Sequence, residues 1–239
     1  MSNNKHASSE ICEFCNLSFD QCECEFIDNE AFDFEDNEYN RVLVGRKAPS
    51  FTATAVLADG TIVENYNFKD AIKNKYAVVF FYPLDFTFVC PSELIAFDNR
   101  VADFKERGVE VIGISIDSQF THSAWRNTPI NKGGIGPVKY TLVADIKHEI
   151  CRAFGVESDG GVAYRGSFLI DKSGIVRHMV VNDLPLGRNV DDMIRMVDAL
   201  QFTEQHGEVC PAGWTRGKDG MKADSNGVAD YLAKHHNDL

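Results

Sequence analysis

The sequence predicts an α/β fold in which a central mixed β-sheet is covered by helices on both faces. Three observations lead there. A short apolar, β-branched and aromatic run, Ala77-Val-Val-Phe-Phe-Tyr82, stops at Pro83, as a buried strand does. Runs of that kind then alternate with helical stripes as far as Phe154. Finally, two strand-like runs flank Asp171-Lys-Ser-Gly174, which suits a hairpin turn, and a last helix follows them.

Each element has its own signal. Leu94, Phe97, Val101 and Phe104 fall at offsets of 0, 3, 7 and 10, one face of a helix that Gly108 ends. Val109 to Ile116 reads as a second buried strand, Thr121 to Asn127 as a short helix and Tyr140 to Ala144 as a third strand. Lys147 to Phe154 reads as helix, again followed by a glycine, Gly155. Ser167 to Ile170 and Val176 to Val181 form the hairpin. Val190, Met193, Ile194, Val197 and Leu200 make the last strong helical stripe. The order is β-α-β-α-β-α-β-β-α. Right-handed crossovers place helices on both faces, and the closing hairpin makes the sheet mixed rather than all parallel. Residues 208–239 read as a tail with one short helix near Val228 to Lys234.

Composition narrows the function classes. The chain is 44% hydrophobic and 25% charged, enough for a sizeable core. No apolar run approaches a membrane span, and Met1 to Glu10 lack the apolar stretch of a secretory signal, so the cytoplasm is the expected location. A net charge of −12 disfavours nucleic acid. Most of that charge sits in an arm. Residues 10–38 hold eleven acids and no Lys or Arg, so with Lys5 residues 1–40 carry −10. The apolar pattern starts at Arg41-Val-Leu-Val-Gly-Arg-Lys-Ala-Pro49, which divides the chain into an arm (1–40), a body (41–207) and the tail (208–239).

Cys90 is a candidate for chemistry. It follows the first strand by a loop and opens a helix whose next residue is Pro91, the favoured first helical position. An ordinary thiol, with a pKa near ~8.5, is only a few per cent thiolate at neutrality. Lowering such a value to about 6 takes roughly 3.4 kcal/mol. A helix terminus supplies at best about 2 kcal/mol, so a cation has to contribute. Arg165, entering the hairpin, is the candidate because its guanidinium donates a forked pair of hydrogen bonds. Position alone leaves the alternative of a small buried hydrophobe open.

Pro83-Leu-Asp-Phe-Thr87-Phe-Val-Cys90-Pro91-Ser-Glu93 resembles the P-x-x-x-T-x-x-C motif of the peroxiredoxins. Val209-Cys210-Pro-Ala-Gly-Trp214 resembles the second cysteine motif of their typical two-cysteine subgroup. The likeness spans about residues 42–239 and includes Arg165-Gly-Ser-Phe-Leu-Ile-Asp171 and Asn182-Asp-Leu-Pro-Leu-Gly-Arg188.

The resemblance implies a thioredoxin-like fold and a thiol peroxidase that needs no cofactor and no metal. Cys90 would attack the peroxide and become a sulfenic acid. Thr87 would hydrogen-bond the sulfur and peroxide, Pro83 would shield the sulfenate, and Arg165 would polarise the O–O bond, with Glu93 and Arg188 in support. Cys210 of the partner subunit would close an intersubunit disulfide. The implied substrates are hydrogen peroxide and alkyl hydroperoxides, and the implied reductant is thioredoxin or a flavoprotein disulfide reductase. The implied assembly is a homodimer that associates further, often into a decamer. The same resemblance offers a non-enzymatic alternative, an oligomeric holdase chaperone or redox relay.

Gly133-Gly-Ile-Gly136 resembles the glycine loop of peroxide-sensitive members, but their C-terminal Tyr-Phe pair is replaced here by Tyr231-Leu232. Over-oxidation is therefore expected, with less aromatic cover. Cys151, between Ile150 and Phe154 on an apolar face, reads as packing.

The arm stands outside the resemblance. Cys12-x2-Cys15-x6-Cys22-x-Cys24 has four thiols, the first pair at a common zinc spacing, which raises a metal-binding regulatory function. The second pair is less typical, and eleven nearby acids oppose four more negative charges. A disordered acidic tail is the preferred reading.

Overall fold

A computed structural model describes residues 42–237 and Leu239. The arm and its four cysteines lie outside the described residues, and residues 41–239 form one compact unit. Seven strands make one mixed sheet: β1 (Thr52–Val56), β2 (Ile62–Asn67), β3 (Tyr76–Phe81), β4 (Val109–Ser115), β5 (Thr141–Ala144), β6 (Arg165–Ile170) and β7 (Val176–Asn182), in spatial order β2-β1-β5-β4-β3-β6-β7. β3, β4 and β5 are parallel to one another, while β6, β7, β1 and β2 join them by antiparallel pairings.

Strand periodicity builds two cores. Along β3, Val78 and Phe80 point to one face and Ala77, Val79 and Phe81 to the other, and all five are fully buried. Helices α2 (Cys90–Asn99), α3 (Val101–Glu106), α4 (Gln119–Asn127) and α6 (Val190–His206) cover the first face with Leu94, Phe97, Phe104, Trp125, Met193 and Val197. Helices α1 (Phe68–Ala71) and α5 (Glu149–Ala153) cover the second with Phe68, Ile150 and Cys151. The mixed, doubly covered sheet expected from the sequence is present.

Two expectations need correction. The sheet begins with β1 and β2, which precede the first strand read from the sequence. Their residues are small or half-exposed, so they lack the apolar run of a buried strand. They are joined across Asp59-Gly60, where Gly60 (φ +90°) turns the chain and Asp59 Oδ1 accepts from the Thr61 amide at 2.9 Å. That Asp-Gly pair was the available signal. The single helix expected over Leu94 to Phe104 is two, broken at Arg100 (φ −107°, ψ 1°), whose amide bonds back to the Phe97 carbonyl. Both halves keep one buried face, so the apolar spacing survives the break.

The tail folds back on α6 and ends in α7 (Ser225–His235), longer than the segment expected. Asp224 caps α7 by accepting from the Gly227 amide at 2.7 Å.

Candidate active site

β3 ends at Phe81, and the loop 82–89 carries the chain to α2, whose first residue is Cys90. No side chain caps α2, so its first-turn amides are not taken by a side-chain oxygen, and Pro91 occupies the first turn. Cys90 is fully buried. β6 lies antiparallel to β3, pairing Phe80 with Ser167, and this places Arg165 across from the loop. Arg165 Nη1 donates to Cys90 Sγ at 3.4 Å and to Glu93 Oε2 at 2.5 Å, while its Nε donates to the Leu184 carbonyl at 2.7 Å.

Glu93 is the hub. One turn along α2 from Cys90, it also accepts from Arg188: Nε to Oε1 at 2.8 Å, Nη2 to Oε2 at 2.9 Å, and the Arg188 amide to Oε1 at 2.9 Å. Burial pushes the Glu93 carboxyl up, and the hydrogen bonds and charge of Arg188, with the charge of Arg165, outweigh it. The result is a carboxyl below its ordinary range. Arg188 Nη1 further donates to the carbonyls of Phe81 and Gly166, both at 2.8 Å, tying the ends of β3 and β6 to α2. A positive charge held rigidly beside a buried sulfur is the arrangement that a nucleophilic thiolate needs.

Thr87 Oγ1 donates to the Leu84 carbonyl at 2.8 Å, which closes the turn that carries it, and Pro83 is buried at the loop's start. Cys210, in the tail beyond α6, is half-buried, with Sγ 3.5 Å from the carbonyl oxygen of Ala199 in that helix. Cys90 and Cys210 are free thiols within the chain. Of the residues singled out from sequence, Cys90, Glu93, Arg165 and Arg188 form one hydrogen-bonded cluster.

A buried triad beneath the loop escaped sequence reading. Tyr82 OH donates to Asp85 Oδ1 at 2.8 Å, His122 Nδ1 lies 2.7 Å from Asp85 Oδ2, and His122 Nε2 lies 3.2 Å from the Val143 carbonyl. Burial raises the Asp85 carboxyl, against the lowering effect of His122. Burial, then Asp85, raises the Tyr82 phenol far above its usual value. Residues 37 apart in the chain give no local signal of such a contact.

Cys151 is buried in the second core, as expected, and burial with Asp145 pushes its thiol well up. His148 and Glu157 lie near it, but Glu157 already accepts from Arg152 at 2.6 Å and faces His148 Nδ1 at 2.6 Å, so these groups are committed to each other. In the glycine loop, Gly134 is required: a Cβ there would sit 1.8 Å from the Thr128 carbonyl oxygen.

Fold and site together define a thiol peroxidase: a thioredoxin-like sheet that delivers one cysteine to a helix start and an arginine to its side. Residues 44–179 match the AhpC/TSA family, and residues 199–234, which include Cys210, match the C-terminal domain of 1-Cys peroxiredoxin. Alkyl hydroperoxide reductase C of Helicobacter pylori is 55% identical over 194 residues, 81% of this chain and 98% of that protein. Peroxiredoxin-2 of Macaca fascicularis is 52% identical over 81% of this chain and 96% of that one. The crystal structure of reduced Plasmodium vivax 2-Cys peroxiredoxin superimposes with a TM-score of 0.78 at 49% identity, covering 80% of this chain and 98% of that one. The chain belongs to the AhpC/TSA family, the peroxiredoxins.

Proposed function

We propose that the chain reduces hydrogen peroxide and alkyl hydroperoxides by a two-cysteine cycle, with residues 41–207 as the peroxidase domain and 208–239 as the segment bringing the second cysteine. The observation that carries this reading is the 3.4 Å contact between Arg165 Nη1 and Cys90 Sγ at the start of α2. Cys90 attacks the terminal peroxide oxygen, the O–O bond breaks, and water or an alcohol leaves with the distal oxygen. Negative charge develops on that leaving oxygen, and the fixed guanidinium of Arg165 stabilises it electrostatically. Glu93 and Arg188 keep the guanidinium in place. Thr87 turns its hydroxyl to sulfur and peroxide on binding, and Pro83 keeps water from the sulfenic acid. Cys210 of the partner subunit condenses with the sulfenic acid, releasing water and forming a disulfide that thioredoxin or a flavoprotein reductase reopens.

The working unit is a homodimer that assembles further into a decamer in the cytoplasm. No described helix is long and apolar enough to cross a membrane. Stopped-flow peroxide consumption tests the cycle. Cys90→Ser abolishes it, whereas Cys210→Ser retains one turnover per subunit and loses the disulfide-dependent turnover. Full activity in Cys90→Ser would end the assignment.

A further inference from the structure

The crossover from β5 to β6 gathers three side chains of metal-ligand type that the peroxidase reading leaves unused. His148, the N-cap of α5, and Cys151 stand three residues apart, so they share one face of its first turn. Backbone bonds fix both. His148 adopts a left-handed backbone (φ +61°) and its amide donates to the Asp145 carbonyl at 2.9 Å. The Asp145 carboxylate accepts the Ile150 and Cys151 amides at 3.1 and 2.8 Å. Gly155 (φ +69°) then ends the helix, and the Val156 amide returns to the Cys151 carbonyl at 2.9 Å, which brings Glu157 back beside the sulfur. The Tyr164 amide on the Val156 carbonyl at 2.7 Å and the Ser158 amide on the Val162 carbonyl at 2.9 Å hold that return in place. Among the described residues, a ring nitrogen of His148, Cys151 Sγ and a carboxylate oxygen of Glu157 thus lie within 4.8 Å of one another. The sulfur is buried, while the His148 and Glu157 side chains are 24% and 19% exposed, so the cluster opens to water on one side.

We propose that His148, Cys151 and Glu157 form a binding site for a zinc ion, with water in the fourth position. The donor set selects the metal: thiolate and imidazole suit Zn²⁺, whereas Mg²⁺ and Ca²⁺ take oxygen ligands. Zinc–ligand distances of about 2.0–2.3 Å put the donors of a tetrahedron roughly 3.3–3.8 Å apart. His148 Nδ1 and Glu157 Oε1, 2.6 Å apart, open to that spacing, and the widest pair closes to it, each by about 1 Å. The bond between His148 and Glu157 is itself the way in, because a cation entering between Nδ1 and Oε1 replaces the hydrogen they share. The thiol likewise gives up the proton it donates to the His148 carbonyl at 3.4 Å. Arg152 is the outer partner: its Nε donates to Glu157 Oε2 at 2.6 Å, which turns Oε1 toward the histidine. Its Nη2, 3.3 Å from Oε1 on a side chain 58% exposed, gives way as the cation enters. The bound ion staples the start of α5 to the return that carries Glu157. Cys151 belongs to the second core and Cys90 to the first, on opposite faces of the sheet, so the site stands apart from the peroxidase chemistry.

The test uses the full-length chain with Cys12, Cys15, Cys22 and Cys24 replaced by Ser, which removes the thiols of the arm from the titration. Co²⁺ is the spectroscopic probe for Zn²⁺. Titration gives a thiolate-to-cobalt charge-transfer band that saturates at one ion per chain and is bleached by an equivalent of Zn²⁺. Cys151→Ser abolishes the band. His148→Asn, which keeps a residue tolerant of the left-handed backbone, and Glu157→Gln each weaken Zn²⁺ binding in competition with a chromophoric chelator. The loss exceeds the roughly 10–100-fold that removal of an outer partner costs. Because Cys151 is also a core residue, a second measurement needs no variant at all. Crystals of the unsubstituted protein soaked in Zn²⁺ give an anomalous difference peak at the zinc edge within about 2.3 Å of Cys151 Sγ. A band unchanged by Cys151→Ser, zinc affinity indifferent to His148→Asn and Glu157→Gln, or an anomalous map without a peak among these three side chains overturns the site.

Discussion

Glu93 takes two guanidinium groups out of water at once, and it does so one helical turn from the sulfur they serve. All three side chains are almost fully buried, so none finds replacement solvation if one is removed. Breaking a buried ion pair from one side typically costs about 3–5 kcal/mol. Glu93→Gln is therefore expected to lose roughly that much in denaturant unfolding, together with peroxidase activity, because Arg165 loses its anchor. The pH dependence has a definite sign. The folded carboxyl titrates below its ordinary value of 4.5. Its stabilisation is complete above that value and disappears as pH falls from there through the folded-state value. Wild type minus Glu93→Gln, measured from pH 7 to 3, should thus narrow steadily in the acid range. A difference that stays constant would refute the role.

At the scale of elements, α7 is the least anchored helix. None of its residues is buried, so it depends on the Asp224 cap and on local contacts such as the Tyr231–His235 ring pair at 4.5 Å. Removing the cap costs about 1 kcal/mol. Asp224→Ala should raise amide hydrogen exchange over residues 225–235 and leave the sheet unaffected. Should α7 with its Tyr231-Leu232 pair slow local unfolding of the Cys90 region, the same variant over-oxidises less. Exchange that rises while over-oxidation stays fixed would separate α7 from the active site. The break at Arg100 teaches the same lesson about elements: spacing of buried residues reports a face, and that face persists across a helix interruption.

At the scale of the whole molecule, large aromatic surface faces outward near the active-site loop. Phe88 and Phe86 of the loop are 97% and 50% exposed, and Phe120 of α4 is 69% exposed, large apolar rings of the kind that association covers. β7 is an edge strand with Val180 and Val181 partly exposed, a second surface suited to self-association. Phe88→Asp is expected to shift the protein to a smaller species in sedimentation velocity, while variants on the β7 edge dissociate that species further. An unchanged sedimentation coefficient for Phe88→Asp would place the association elsewhere.

Most of the fold was legible because buried strands and amphipathic helices write their period into the sequence. β3, β4, β5, the β6–β7 hairpin and α6 all carried that period. β1 and β2 did not, since the short Thr- and Ala-rich β1 and the largely exposed edge strand β2 join the sheet through backbone bonds that no side-chain pattern records. At the site, Cys90, Arg165, Glu93 and Arg188 were named from motifs. The chain alone thus named the groups proposed to carry the chemistry, because the motifs that hold them are local in sequence. Only the folded structure decided that one carboxylate binds both arginines, that Tyr82, Asp85 and His122 meet under the loop, and that Cys210 rests on Ala199. Those contacts join segments far apart in sequence, and their geometry is set by how the sheet and helices pack.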